Sequence, residues 1–241
     1  MSTLLEVEGL SKSFSGLRAA HDLTFSVGEG EIVALIGPNG AGKTTCFNMV
    51  AGVYRPDAGT VRLAGRRIDG RRPDQICRAG IGRTFQLVKP FAGLSVLDNV
   101  VVGALNARRT VADAQRRAAE VLDLLGLFAK RAHPAASLTL PERKRLEVAR
   151  ALATDPRLLL LDEVMAGLRP TEVDLMVQVL RDLNSRRGIT ILLIEHVMRA
   201  VMALSLRVIV MHHGEVIAQG TPDEVTRDPA VIESYLGEAV V

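Results

Sequence analysis

The hydrophobic pattern switches period along the chain. Leu4–Leu10 sets Leu5 and Val7 against Glu6 and Glu8, the period of two of a half-buried strand. Ser15-Gly16 reads as a turn. Leu23–Val27 reads as a second strand, closed by Gly28-Glu29-Gly30, and Gly59–Gly65 as a strand between glycines. Glu31–Ile36 is a short apolar run with the look of a buried strand, and Cys46–Gly52 reads as a helix ending at Gly52. In the middle, Val111, Ala114, Ala118, Val121, Leu122 and Leu125 recur at helical spacing, with Arg116, Arg117, Glu120 and Asp123 on much of the other face. A second helix is expected over 146–154, with Leu146, Ala149, Arg150 and Ala153 in step. The last third returns to apolar strands at Leu158–Leu161 and Ile189–Ile194. Between them lies a helix over Thr171–Asn184 that carries Leu175, Val179 and Leu183 on one side. Val208–Met211 and Glu215–Ala218 flank His213-Gly214 as a hairpin, and Thr221-Pro222-Asp223-Glu224 has the capping-box spacing of a helix start.

Short strands separated by helices predict a largely parallel central sheet in an α/β fold. The expected division of 1–241 is an α/β core with a β subdomain over 1–86 and 158–220, a mostly helical subdomain over 87–157 and a helical tail over 221–241. Composition adds limits. Apolar residues are 48% of 241, enough for a sizeable core. The net charge of +3 comes with a pI of about 9.1, but the basic residues are arginine pairs interspersed with acids, a solvated surface rather than a nucleic-acid face. Aromatics are 3% with no Trp, which leaves few platforms for stacking bases. The two cysteines, Cys46 and Cys77, form no C-x-x-C pair, so neither a disulfide framework nor a zinc site is expected. Cys46 is either a small packing residue or a thiol acidified by the start of a helix. With no signal peptide in view and no apolar run near about 18 residues, the expectation is a cytosolic chain.

One stretch carries chemistry by itself. Gly37-Pro38-Asn39-Gly40-Ala41-Gly42-Lys43-Thr44-Thr45 fits G-x-x-x-x-G-K-[ST] between a predicted strand and a predicted helix. Glycines let successive backbone N–H groups curl around a phosphate, and the helix points its positive end at it. Lys43 would reach β- and γ-phosphates, and the Thr44 hydroxyl would bind Mg²⁺. Asp162-Glu163 follows the Leu158–Leu161 strand directly. Asp162 would hold Mg²⁺ and Glu163 would act as general base toward a water, although an Asp at a strand end also serves as a helix N-cap. His196 falls at the end of the next strand, where it could meet a γ-phosphate or be an ordinary satisfied polar residue. Gln86 is unremarkable alone.

The order of P-loop, Gln86, helical insert, Leu158–Glu163 and His196 resembles the ATP-binding subunit of ABC transporters over essentially the whole chain. Gly82–Gln86, Leu146–Leu152, Leu193–His196 and Tyr235–Ala239 are similar to the branched-chain amino acid importer ATPases, with lipopolysaccharide-export ATPases as near relatives. The resemblance implies a P-loop NTPase core with an antiparallel β subdomain and an inserted helical subdomain. It implies ATP and Mg²⁺ as ligands, with Asn39 to Thr45 on the nucleotide. It makes Phe14 the aromatic that stacks on adenine, although a strand-end Phe in the core fits equally. Gln86 becomes a residue that reaches metal and water, His196 the switch histidine, and Ala166–Arg169 the D-loop. The implied place is the cytoplasmic face of the inner membrane. The implied partners are membrane permease subunits that meet the stretch Leu87–Phe91 and the helical insert, a second ATPase chain and, indirectly, a substrate-binding protein. A soluble ABC-type ATPase would need a second nucleotide domain, a coiled coil or a zinc insertion, and a P-loop kinase would need an acceptor site.

The departures are as informative. The family signature L-S-G-G-Q, offered to a partner's ATP, aligns with Leu138-Thr139-Leu140-Pro141-Glu142. Both glycines are gone, and Pro141 has no N–H to give. Thr139 to Glu142 also fits a capping box, which would divert the Thr139 hydroxyl. Arg169, Val164 and Val197 depart from common family residues as well. The expectation is a chain with a complete P-loop side and a degenerate signature, best complemented by a different ATPase chain.

Overall fold

The computed structural model describes residues 2–86 and 89–236. Leu87, Val88 and Gly237–Ala239, which entered the expectations above, lie outside the described residues. The chain opens with Thr3–Phe14 (β1) and Leu17–Gly28 (β2), an antiparallel pair turning at Ser15-Gly16. Ile32–Ile36 (β3) leads through the glycine loop into Lys43–Val50 (α1), followed by Ala58–Leu63 (β4) and Arg66–Arg67 (β5). Strands β2-β1-β4-β5, in that spatial order, form an antiparallel four-stranded sheet. Pro73–Ala79 (α2) and Ile81–Arg83 (β6) precede three helices, Val96–Ala104 (α3), Val111–Leu124 (α4) and Leu140–Leu152 (α5). Then come Leu158–Asp162 (β7), Pro170–Arg187 (α6), Thr190–Ile194 (β8), Met198–Leu204 (α7), Arg207–His212 (β9) and Glu215–Gly220 (β10). Pro222–Val225 (α8) and Pro229–Leu236 (α9) close the described chain. The second sheet has the order β10-β9-β3-β8-β7-β6, parallel except for β10.

Every residue of β3, β7 and β8 is buried. Their alternation feeds two cores. Val33, Leu35, Leu158, Leu160, Leu192 and Ile194 face α1 and the four-stranded sheet. Ala34, Leu159, Leu161, Ile191 and Leu193 face the layer of α3, α4, α5 and α6. This two-sided burial is why these strands read as unbroken apolar runs rather than alternating ones. Register places Asp162 beside Ile194 and Arg83 beside Leu160, so the strands of the parallel sheet end together at one edge.

Several elements differ from expectation. The buried face of α6 is Val173, Met176, Val177, Leu180 and Leu183, whereas Leu175 is 59% exposed. The i, i+4 row of Leu175, Val179 and Leu183 drifts around the helix from exposed Leu175 through partly buried Val179 to buried Leu183. Helix α5 begins six residues before the expected start because Thr139 caps it: the Thr139 N–H donates to Glu142 Oε2 at 3.0 Å. Helix α3 was not anticipated. Its run Val100-Val101-Val102 is β-branched, and its start is local, with Ser95 Oγ accepting from the Asp98 N–H at 3.0 Å. Cys46 is fully buried, and burial pushes its thiol up to about 12, so it is a packing residue and not an acidified thiol.

Immediately after β8, Glu195 is buried at 1% exposure. Its Oε1 accepts the Met165 N–H at 2.9 Å, while Oε2 has no partner. Burial pushes this carboxyl up to about 7 from an ordinary 4.5, against the pull of the Met165 N–H and Lys144. A carboxyl raised in the folded state favours folding while protonated, and that contribution is lost as pH rises through the folded value. The stability of the protein minus that of Glu195→Gln should therefore fall by about 1 kcal/mol or more between pH 4.5 and 7 and stay level above. Urea titrations of both at a series of pH values measure it, and a flat difference would rule it out. In the helix-side core, Leu159→Ala should lower stability by about 2–5 kcal/mol in the same assay; a loss below about 1 kcal/mol would contradict the two-sided burial of β7.

Candidate functional site

The glycine loop between β3 and α1 is built by close approach. Gly37 (φ 147°) lies so near β9 that a Cβ there would sit 2.0 Å from the Met211 carbonyl oxygen. Gly42 (φ 95°) would put one 2.3 Å from the Ala19 carbonyl oxygen. Only glycine fits at either position. Lys43 is buried, and its ammonium donates to the Gly37 and Pro38 carbonyls, each at 2.7 Å, so the loop wraps its own cation. Asn39, Gly40, Ala41, Gly42, Lys43, Thr44 and Thr45 line a cleft of about 480 Å³.

The far wall of the cleft comes from three strand ends. Gln86 follows β6, Glu163 follows β7 and His196 follows β8, and all three line the cleft. They meet at one carboxylate. Gln86 Nε2 donates to Glu163 Oε2 at 2.9 Å, and His196 Nε2 lies 3.0 Å from Glu163 Oε1. An ionised carboxylate only accepts, so Nε2 carries the imidazole proton in that contact. The Glu163 backbone has φ 50°, in the left-handed region. Its N–H donates to the Ile194 carbonyl at 2.9 Å and its carbonyl accepts from Lys144 Nζ at 2.8 Å.

Asp162 stands behind this wall, 1% exposed. Its Oδ2 accepts from Arg83 Nη2 at 3.3 Å, and Arg83 Nη1 donates to Asn48 Oδ1 on α1 at 2.6 Å. The Asp162 N–H donates to Thr84 Oγ1 at 3.0 Å, which excludes the simple helix-capping role, since no helix begins there. Burial raises the carboxyl of Asp162, and Arg83 opposes it. Oδ1 has no partner. Asp162 is not among the residues that line the cleft; the exposed Thr44 hydroxyl and Gln86 do line it, and with the open Asp162 Oδ1 behind them they are oxygen donors of the kind a hard cation and its water shell take.

Two expected groups stand elsewhere. Phe14 is outside the cleft lining; its ring meets Tyr54 edge-on at 5.1 Å between centroids. Leu17, Arg18 and Ala19 of β2, with His213 of the β9–β10 turn, take the corresponding side of the cleft. Leu138, Thr139, Leu140, Pro141 and Glu142 are also outside it. Leu138 is buried, Thr139 is the α5 cap, Leu140 is exposed, and Pro141 lies in the first turn where a missing N–H breaks no helical bond. The Glu142 carboxylate is held by Lys130 at 2.6 Å as well as by Thr139. With Arg145, Leu168 and Arg169, Thr139, Pro141 and Glu142 line a separate depression of about 340 Å³. Of the D-loop stretch, Arg169 pairs with Glu172 at 2.6 Å, within its own helix cap. Arg83 and Lys144 were not identified as site residues from sequence: the first was one Arg among many, the second sat in the run Arg143-Lys144-Arg145. Only the phase of α5, which puts Lys144 and Glu147 on a buried face, marks it.

The family profile described as ABC transporter matches residues 20–166, and a second, described as branched-chain amino acid ATP-binding cassette transporter, matches residues 215–241. The chain is 41% identical to the high-affinity branched-chain amino acid transport ATP-binding protein LivG of Salmonella typhimurium and 40% identical to the corresponding protein BraF of Pseudomonas aeruginosa, over 98% of each chain in both cases. It is 38% identical to the lipopolysaccharide export system ATP-binding protein LptB of Acidithiobacillus ferridurans, over 99% of this chain and 98% of that one. Among solved structures, the ADP conformation of an ATP-binding cassette of an ABC transporter superposes with a TM-score of 0.90 at 29% identity, over 98% of this chain and all of that one. With the glycine loop, the strand-end carboxylates and the fold in agreement, the chain belongs to the ABC transporter family as one of its ATP-binding, ATP-hydrolysing subunits.

Proposed function

We propose that this chain energises the uptake of branched-chain amino acids, hydrolysing ATP at the cytoplasmic face of the inner membrane beneath permease subunits that a substrate-binding protein supplies. The observation that carries the hydrolytic reading is the Glu163 carboxylate, held between Gln86 and His196 at the wall of the glycine-loop cleft. Glu163 acts as the general base that takes a proton from the attacking water. Gln86 and His196 hold the carboxylate beside the cleft, and the His196 Nε2–H is the donor that turns to the γ-phosphate oxygens as they gain charge. Lys43 leaves the Gly37 and Pro38 carbonyls for the β- and γ-phosphates. Thr44, Asp162 and Gln86 would hold Mg²⁺, which supplies charge neutralisation across the phosphate oxygens. Leu17, Arg18 and His213 offer the base its contacts in place of the expected Phe14.

The substrate assignment rests on the identity to LivG and BraF and on the tail match. The 38% identity to LptB supports export as the second reading, and the permease that co-purifies from membranes decides between them. No helix among the described residues is long and apolar enough to cross a membrane, which fits a peripheral subunit. A groove of about 350 Å³ lined by Val53, Ile76, Phe85, Val102, Glu147 and Arg150 suits an apolar permease helix. It lies where the helical insert 87–157 meets the core, and the Arg150 guanidinium lies over the Phe91 ring at 4.6 Å at that junction.

The signature reading is directional. Thr139 is committed to its helix cap, and Pro141 lacks the N–H that a γ-phosphate would receive. The chain is then best completed by a different ATPase chain that carries intact signature glycines. Loss of one such donor typically costs about 10²–10³ in rate, so the purified chain should hydrolyse ATP about 10²-fold more slowly than its mixture with that partner. Equal rates would contradict the asymmetry. Glu163→Gln should lower kcat by about 10²–10⁴ while ATP binding persists; a steady-state rate like that of the unaltered chain would remove Glu163 as the base.

A further inference from the structure

Glu163 is a non-glycine residue in the left-handed region, φ 50°, at the end of a strand. Such a backbone persists only where neighbours hold it. Its two peptide groups are fixed from opposite sides. The N–H donates to Ile194 of β8, the adjacent strand. The carbonyl accepts from Lys144, which lies on α5, a helix of the other layer. Lys144 is 4% exposed, and among the described residues its ammonium makes one hydrogen bond, the one to Glu163. Its charge also faces three buried carboxylates, those of Glu147, Asp162 and Glu195. The charge is thereby balanced by the surroundings as a whole, while the directional bond is spent on one carbonyl.

We propose that Lys144 is the positioning residue of the hydrolytic carboxylate: its hydrogen bond to the Glu163 carbonyl holds the left-handed turn that aims Glu163 at the cleft, and so ties that aim to the signature helix. The inference rests on Glu163 being the general base. It follows from the order of the contacts. Turning the Glu163 peptide out of its left-handed state would swing the side chain away from Gln86 and His196, the two groups that define its place at the cleft wall. The Ala166 N–H also donates to that carbonyl, at 3.2 Å from within the same turn, so among the described residues Lys144 is the donor that reaches it from another element. Helix α5 starts at Thr139, at the degenerate signature, and one turn beyond Lys144 it carries Glu147, whose Oε1 accepts the Phe85 N–H at 2.9 Å. One rigid helix therefore grips the residue before Gln86 and the residue that Gln86 bonds. A displacement of α5 moves both at once, which gives a mechanical route from signature or permease contact to the base.

The test uses the full chain in the assembly with which it purifies. Lys144→Met keeps the buried stem and removes the donor. It should lower kcat by about 10²-fold, the scale of an ångström-size misplacement of a reacting group, while the KM for ATP changes by less than about threefold. Lys144→Arg, which keeps donor and charge, should restore kcat to within about fivefold of the unaltered assembly. In a Glu163→Gln background, Lys144→Met should leave the affinity for a fluorescent ATP analogue unchanged. If Lys144→Met does not fold, the charge-relieved pair Lys144→Met with Glu147→Gln is compared with Glu147→Gln alone, and the same drop in kcat is expected. A Lys144→Met assembly with unaltered kcat, beside an inactive Glu163→Gln assembly, overturns the positioning role and leaves the base assignment standing. Equal losses in Lys144→Met and Lys144→Arg, or a loss that appears in KM, also overturn it. An active Glu163→Gln assembly overturns the base assignment itself.

Discussion

A strand buried on both faces can offer chemistry only at its end. β3, β7 and β8 are each five residues without an exposed side chain, and they run parallel in register. Their carboxyl ends are where backbone and side chains first become free of the two cores. The glycine loop, Asp162-Glu163 and Glu195-His196 all appear within a few residues of those ends. The site is thus a consequence of layer packing: helices on one face, α1 and the antiparallel sheet on the other, and a ligand cleft along the shared edge.

That geometry forces charge into poorly solvated positions, and the structure meets it with long-range donors. Asp162 is held by Arg83 from the neighbouring strand, and Arg83 is held in turn by Asn48 of α1. Glu195 receives the Met165 N–H, Glu147 receives the Phe85 N–H, and Lys144 faces these carboxyls from the helical layer. One oxygen each of Asp162, Glu147 and Glu195 remains without a partner. The buried polar groups cluster at the sheet edge that bears the cleft, and Lys144 and Glu147 link that edge to α5.

Much of this was legible in the chain itself, wherever the cause is local. Four consecutive leucines followed by Asp-Glu, and five apolar residues followed by Gly-Pro-Asn-Gly, announce doubly buried strands with chemistry at their ends. The capping of α5 was legible from Thr139 and Glu142 because a cap is made within four residues. What was hidden depends on contacts distant in sequence or on helix phase. Arg83 is 79 residues from Asp162, and Lys144 is 19 from Glu163. The face of α6 is only partly legible because a row spaced by four drifts around the helix and enters the core only toward its end. Helix α3 was missed because β-branched residues obscure its period. Phe14 is placed on the base only by resemblance; the hairpin seats its ring against Tyr54, outside the cleft lining that Leu17 and Arg18 join, a placement no local pattern marks.

On the function proposed above, this chain supplies the working P-loop side of a site that another chain's signature completes. Replacing one general base at a time in the assembled pair tests it most directly. Steady-state ATP turnover is measured after changing either Glu163 of this chain or the equivalent carboxylate of the partner ATPase. Glu163→Gln should abolish most of the turnover, and the partner's replacement should leave most of it. Equal losses from the two replacements, or the larger loss from the partner's, would contradict it.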